Sequence, residues 1–230
     1  MKHFILALTL SASALCSTAA HADVFDATQA FQNQRNPGSV WSYGYSHLVG
    51  SNYSLTLFDN QLVSSTAFGW NKSGYDTLGT PAIWKNTGSF SQYGVAPGQI
   101  SLHPGPLAGG DLAILRFTAP TSSTYAVNGQ FFAGDIGSMS GAIVRDGNVN
   151  QPLQYFANTT NQSVFTPLSL QLHGGETLDF VVGNNGSFYY GNTPLNVTIT
   201  TAAVPEPETW AMMVMGLGLL GTLARRRRKI

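Results

Sequence analysis

The chain has 230 residues, 43% hydrophobic and 11% aromatic but only 10% charged, where ordinary globular proteins carry about 25% charged residues. A sizeable core can form, but a long-helix or coiled-coil protein is excluded, and so is a nucleic-acid binder with a broad basic face. The formal net charge of zero is uneven: between Asp23 and Ala203 five basic residues face nine acidic ones, leaving that body at −4, and the compensating charge sits at the two ends.

At the N-terminus, Met1-Lys2-His3 leads into an apolar or small run from Phe4 to Leu15 and then Ala20-His21-Ala22. Ala20 and Ala22 have the small-x-small form that signal peptidase cleaves, so residues 1–22 read as a secretory signal removed after Ala22. Cys16 is the only cysteine, and Leu15 stands where a lipoprotein signal wants Gly or Ala. The mature chain then has no disulfide, and its stability must come from packing.

Residues 23–203 offer one short helix candidate, Asp26 to Gln34, and otherwise a series of short apolar or alternating runs closed by turn residues. These runs are Val40 to Ser46, Tyr53 to Phe58, Ala113 to Thr118, Thr124 to Val127, Gln130 to Ala133, Gly141 to Arg145, Leu153 to Ala157, Ser163 to Leu172, Thr177 to Gly183 and Leu195 to Thr200. Their β-branched and aromatic content and their spacing predict an all-β fold, a β-sandwich or jelly roll. Asp146-Gly147 between apolar runs predicts a tight hairpin. Around Gly174-Gly175 strict alternation stops and resumes, which predicts a second hairpin with Leu168, Leu170, Leu172, Leu178, Phe180 and Val182 in the core. Residues 23–110 give weaker signals, and no linker marks a second domain.

The body has no cysteine nucleophile and no Gly-x-Ser-x-Gly elbow, and His47, His103 and His173 are far apart in sequence, so no catalytic residue is assigned and the expectation is a non-enzyme. Glu176 and Asp179, at one turn and strand, are explained by turn chemistry and solvation, although a carboxylate pair for glycoside hydrolysis stays open. Asp146-Gly-Asn148-Val-Asn150 begins like an EF-hand loop but has Gln151 where Gly is needed and Ala157 where Glu is needed. If the loops bind calcium, Asp135, Asp146 and Asn148 are the expected ligands; no other cofactor is implied. Sugar contact asks for aromatic faces beside amide and carboxylate groups. Trp70 to Tyr75, Asn86 and the run Gly183 to Asn192 have that content, giving Trp70, Tyr75, Asn184, Asn185, Tyr189 and Tyr190 as candidates.

The C-terminal residues 204–230 read Val204-Pro205-Glu206-Pro207, then an apolar stretch from about 210 to 224, then Arg225, Arg226, Arg227, Arg228 and Lys229. The stretch is a marginal membrane helix of roughly 21 Å, and the basic block places the body on the outer side. Gly216-Leu-Gly218-Leu-Leu-Gly221 fits the dinucleotide pattern only in letters, since no strand precedes it and no acid follows.

This three-part tail resembles the PEP-CTERM sorting signal of exopolysaccharide-producing Gram-negative bacteria. The resemblance implies recognition by an exosortase near Pro205, Glu206 and Pro207, after signal peptidase has acted, with an inner-membrane-anchored intermediate and then release or transfer to the cell surface or extracellular matrix. From Asp111 onward the chain also resembles the jelly-roll ectodomains common among such proteins, through Phe117-Thr-Ala-Pro120 to Phe131, the Asp146 turn, and Leu170 to Asn184. The expected body is structural or weakly binds exopolysaccharide. A secreted polysaccharide hydrolase and an adhesin that assembles through sheet edges are the alternatives.

Overall fold

The computed structural model describes residues 21–47, 53–74, 79–106, 111–202, 214–218 and 225. Asp23–Ala202 forms one compact unit. Its described elements are β1 (Val24–Asp26), α1 (Ala27–Ala30), β2 (Trp41–His47), β3 (Thr56–Leu57), β4 (Asn60–Val63), β5 (Ala67–Asn71), β6 (Ala82–Asn86), β7 (Ile100–His103), β8 (Asp111–Thr118), β9 (Ser123–Phe131), β10 (Ser140–Arg145), β11 (Gln154–Phe156), β12 (Ser163–Val164), β13 (Leu168–Leu172), β14 (Thr177–Gly183) and β15 (Thr193–Thr201).

The strands form two antiparallel sheets. One runs β12-β9-β15-β7-β6-β5-β4, with β1 added to β15 and β13 to β9; the other runs β11-β10-β14-β8-β2-β3. From β7 to β10, and again from β13 to β15, successive strands alternate between the sheets, the jelly-roll pattern that the strand spacing predicted.

Period-two alternation fills the space between the sheets. Ile83, Ile100, Leu102, Tyr125, Val127, Phe131, Leu195, Val197 and Ile199 enter it from one side; Trp41, Tyr43, Leu115, Phe117, Ile143, Leu178, Phe180 and Val182 enter from the other, all in one buried cluster. Each such side chain contributes roughly 1.5–3 kcal/mol by leaving water. A second cluster, Tyr53, Leu112, Ile114, Val144 and Val181, covers the outer face of the six-stranded sheet. Asp23–Ala202 thus holds both clusters and every described ladder, which is what independent folding requires.

Both predicted hairpins need correction. At Asp146-Gly147 the positive φ values, 49° and 73°, and the Asn148 N–H to Arg145 carbonyl bond of 3.0 Å make the tight turn. The partner strand does not return at once: pairing resumes only at Leu153, whose N–H donates to the Ile143 carbonyl, and in β11. Around Gly174-Gly175 there is no hairpin. β13 pairs with β9 in the nine-stranded sheet and β14 with β8 and β10 in the six-stranded one, so the turn carries the chain across the core. The core assignment holds all the same, with Leu172, Leu178, Phe180 and Val182 buried and Leu168 and Leu170 half-buried against them.

Smaller departures have local causes. The helix is a single turn capped by Asp26, whose Oδ1 accepts the Gln29 N–H at 2.9 Å, and it ends at Phe31, which turns extended and packs edge-on against Tyr43. The run Ser163 to Leu172 breaks at Phe165 to Pro167, where a buried ring and a missing N–H interrupt pairing. Thr124 to Val127 and Gln130 to Ala133 merge into β9.

Residues 214–218 are helical, and Val214, Met215 and Leu217 are exposed. Among the described residues no helix is long and apolar enough to cross a membrane. The rest of the expected span, Pro205, Glu206, Pro207, Arg226, Arg227, Arg228 and Ala20 lie outside the described residues; Ala22 and Arg225 are described.

Candidate functional site

The site begins with the strands that the sequence marked least clearly. In β5, β6 and β7 the alternating positions Phe68, Trp70, Ile83, Ile100 and Leu102 point into the core. Their neighbours Ala67, Ala82, Trp84 and His103, with Leu62 of β4, therefore line the outer face and a cleft of about 610 Å³. Gly69 pairs in register with Trp84, and a Cβ there would lie 2.3 Å from the Ile83 carbonyl oxygen and 2.6 Å from the Trp84 Cα, so the close approach of β6 requires glycine.

The walls come from two loops. Asn86, fully buried, organises the first: its amide donates to the Phe90 and Val95 carbonyls, both at 2.8 Å, and its oxygen accepts the Gly88 N–H at 2.9 Å and the Gln92 amide at 2.7 Å. This loop presents Gln92 and Tyr93. Gly94, at φ 76°, packs so closely on Gly134 that a Cβ would lie 2.1 Å from its carbonyl. The second loop supplies Tyr190 and Asn192, and the Trp84 Nε1–H donates to Asn192 Oδ1 at 2.8 Å, fixing the indole in plane. Asp135 closes the remaining side, its backbone N–H donating to the Asn192 carbonyl at 3.1 Å.

A second cleft of about 560 Å³ lies beyond Tyr190, lined by Ile136, Gly137, Ser138, Asn185, Ser187 and Tyr189 as well. Tyr93, Tyr189 and Tyr190 are 71%, 64% and 61% exposed. Among the described residues the non-glycine positions with left-handed backbone are Tyr93, Asp146, Asn185 and Tyr190; three of the four border these clefts. Such positions cost of order 1–3 kcal/mol each and collect at functional sites.

His103 forms part of the floor and holds the second loop. Its Nδ1 is 2.8 Å from the Pro104 carbonyl, which only accepts, so that nitrogen carries the proton, and Nε2 accepts the Gly191 N–H at 3.2 Å. Both nitrogens are spent in the neutral ring, and burial lowers the imidazole pKa below its ordinary value. The unfolded chain therefore binds this proton more readily than the folded one. Stability from His103 is complete above about pH 6.5 and falls as the pH drops below it. Melting temperatures at pH 7.5 and 5 should show this decline, and His103→Gln should flatten it.

The candidates read from sequence separate into distinct groups. Tyr189, Tyr190 and Asn185 line the clefts, with Asn185 also donating to the Ala157 carbonyl at 3.1 Å. Trp70 does not: it is 5% exposed, and its Nε1–H donates to the Gln32 carbonyl at 2.7 Å, because strand alternation turns it inward. Asn184 is buried and shapes its loop, donating to the Gly105 carbonyl and accepting the Gly186 N–H. Tyr75 lies outside the described residues. Trp84 and Tyr93 were missed; an alternating Ala82-Ile83-Trp84 would have signalled Trp84 had the register been known.

The calcium ligands are not brought together. Asp135 precedes β10 and Asp146 follows it, at opposite ends of a six-residue strand about 17 Å long. Asp146 accepts the Thr177 N–H and hydroxyl, and Asn148 closes the turn after it. Among the described residues no group of three or more His, Cys, Asp or Glu side chains could hold a metal.

Among the described residues two other carboxylates are fully buried, and each is paired with a cationic side chain. Asp179, on the outer face, receives Arg116 through Nε at 2.7 Å and through its terminal nitrogen at 2.8 Å, and the Tyr53 hydroxyl at 2.6 Å. Burial, then the neighbouring carboxylate, raises the Tyr53 pKa far above its ordinary value. Asp111, at the inner rim, meets His47 at 2.6 Å and Lys72 at 3.2 Å, and Lys72 also lies over the Tyr45 ring. Glu176 caps its turn through the His173 N–H, which lowers its pKa, and reaches Arg145.

The fold is that of an all-β sandwich protein with an aromatic cleft on one outer face. Residues 203–229 match the PEP-CTERM protein-sorting motif, so the sandwich belongs to an exported chain that carries a sorting tail. No curated protein matches the sequence. Among solved structures the chain is similar to Pika GITRL (13% identity, 46% of this chain and 82% of that one, TM-score 0.29). It is also similar to the Podospora anserina GH26-CBM35 β-(1,4)-mannanase (12%, 82% and 29%, 0.31). A third is a family 35 carbohydrate binding module from Clostridium thermocellum (13%, 80% and 100%, 0.32). Likenesses this distant bear on neither ligand nor activity.

Proposed function

We propose that the chain is an exosortase substrate, displayed on the cell surface or in the extracellular matrix, whose sandwich binds polysaccharide without cleaving it. The observation that carries the binding reading is Trp84, lining an open cleft with its indole N–H held by Asn192, with Tyr93 and Tyr190 exposed beside it. Aromatic faces stack on the apolar faces of sugar rings, and amide groups bond the hydroxyls. A glycan chain could extend from this cleft into the second one past Tyr190. The sorting reading is supported by the tail motif.

The test uses Asp23–Ala202 and matrix polysaccharide from the producing cells. Retention of the protein in affinity gels without release of reducing sugar is the expected result. Sugar release abolished by one Asp or Glu substitution would move the chain to the hydrolases. Deleting the exosortase should leave the tail attached in membranes; an unchanged mature C-terminus would remove the sorting assignment.

A further inference from the structure

Resting on the cleft reading above, we infer that the glycan taken by this site carries free amino groups, with Asp135 receiving the ammonium and the aromatic rim facing the sugar. Among the described residues lining the larger cleft, Asp135 is the one charged side chain. The other titratable group there, His103, is held neutral by its two hydrogen bonds. No lining cation therefore offsets the carboxylate.

Asp135 is also fixed in place. Its backbone N–H binds the Asn192 carbonyl, the Gly137 N–H binds the Tyr190 carbonyl at 2.9 Å, and its Oδ1 accepts the Ile136 N–H at 2.9 Å. A carboxylate offers about four lone-pair sites, so most of its capacity remains for a ligand. The faces of Trp84, Tyr93 and Tyr190 attract cations electrostatically, which adds to the same preference. Thr80, also lining the cleft and 5% exposed, has a buried hydroxyl without a hydrogen-bond partner. A uronate chain would bring a second carboxylate against Asp135 with nothing to neutralise it, a repulsion that excludes acidic glycans.

Calorimetry on Asp23–Ala202 decides the point, with a glucosamine oligomer whose amines are protonated, its N-acetylated counterpart, and polygalacturonate. The expected result is about tenfold tighter binding of the amine form at low salt, weakening at high salt, and no binding of polygalacturonate. Asp135→Asn should bring the amine form down to the affinity that the same variant shows for the acetylated oligomer, and Asp23→Asn, which removes an equal charge at the exposed N-terminus, should leave the preference as it is. Equal affinities, a preference that survives Asp135→Asn, or binding of neither oligomer overturns the amine inference and leaves the cleft reading to the matrix-polysaccharide assay. Binding that is unaffected by Trp84→Ala overturns the cleft reading itself.

Discussion

Replacing Asp179 with alanine should lower the stability of the body by about 3–5 kcal/mol, the usual cost of removing one partner from a buried ion pair. The carboxylate is fully buried and accepts both Arg116 bonds and the Tyr53 hydroxyl, while the Arg116 side chain is only 20% exposed. Without it, Arg116 loses both of its carboxylate bonds, and the Tyr53 hydroxyl loses its acceptor. For a domain of this size each kcal/mol moves the melting temperature by about 2–4 °C, so a fall of roughly 6–20 °C is expected in calorimetry. Tyr53→Phe should cost far less, about 1 kcal/mol, because Arg116 still neutralises the carboxylate. A loss below about 1 kcal/mol for Asp179→Ala would mean that the triad is solvated in solution.

Trp84→Ala should weaken polysaccharide binding about 30-fold, since a central aromatic anchor is worth about 2 kcal/mol or more. The indole is the largest flat surface in the cleft, and its plane is set by the bond to Asn192. Trp84→Phe keeps a ring but loses that bond and should fall between the two. The side chain points away from the core, so the melting temperature should change little. This separates a binding defect from unfolding.

The reason some strands were legible and others were not lies in the same cleft. In β13 one face is core and the other polar, with Leu168, Leu170 and Leu172 alternating with Ser169 and Gln171, and alternation was plain. In β4 to β6 the outer face carries Leu62, Ala67, Ala82 and Trp84, so apolar residues stand on both sides and the period is weakened. The site erased the signal of the strands that build it. Tyr189 and Tyr190 could be found because they sit in a Gly- and Asn-rich loop. Trp70 and Trp84 looked alike in sequence, and only register, unknown before pairing, turns one inward and the other out. The turn at Gly174-Gly175 failed for a related reason: a hairpin and a crossing between sheets have the same local grammar, and only the pairing of β13 with β9 distinguishes them.

β15 joins the two ends of the body's work. Asn192, beside the cleft, immediately precedes it, and Thr201 ends it, about 27 Å away along the strand; in sequence the sorting motif begins at residue 203. Val24 to Asp26 lies antiparallel against its last turnings, with the Asp23 N–H on the Thr201 hydroxyl at 2.8 Å and the Thr201 N–H returning to the Asp23 carbonyl at 3.0 Å. A pull between a captured glycan and an anchored tail would therefore run lengthwise down β15. It would load the ladders to β9, β7 and β1 together, in shear, where many hydrogen bonds must yield at once instead of unzipping one by one.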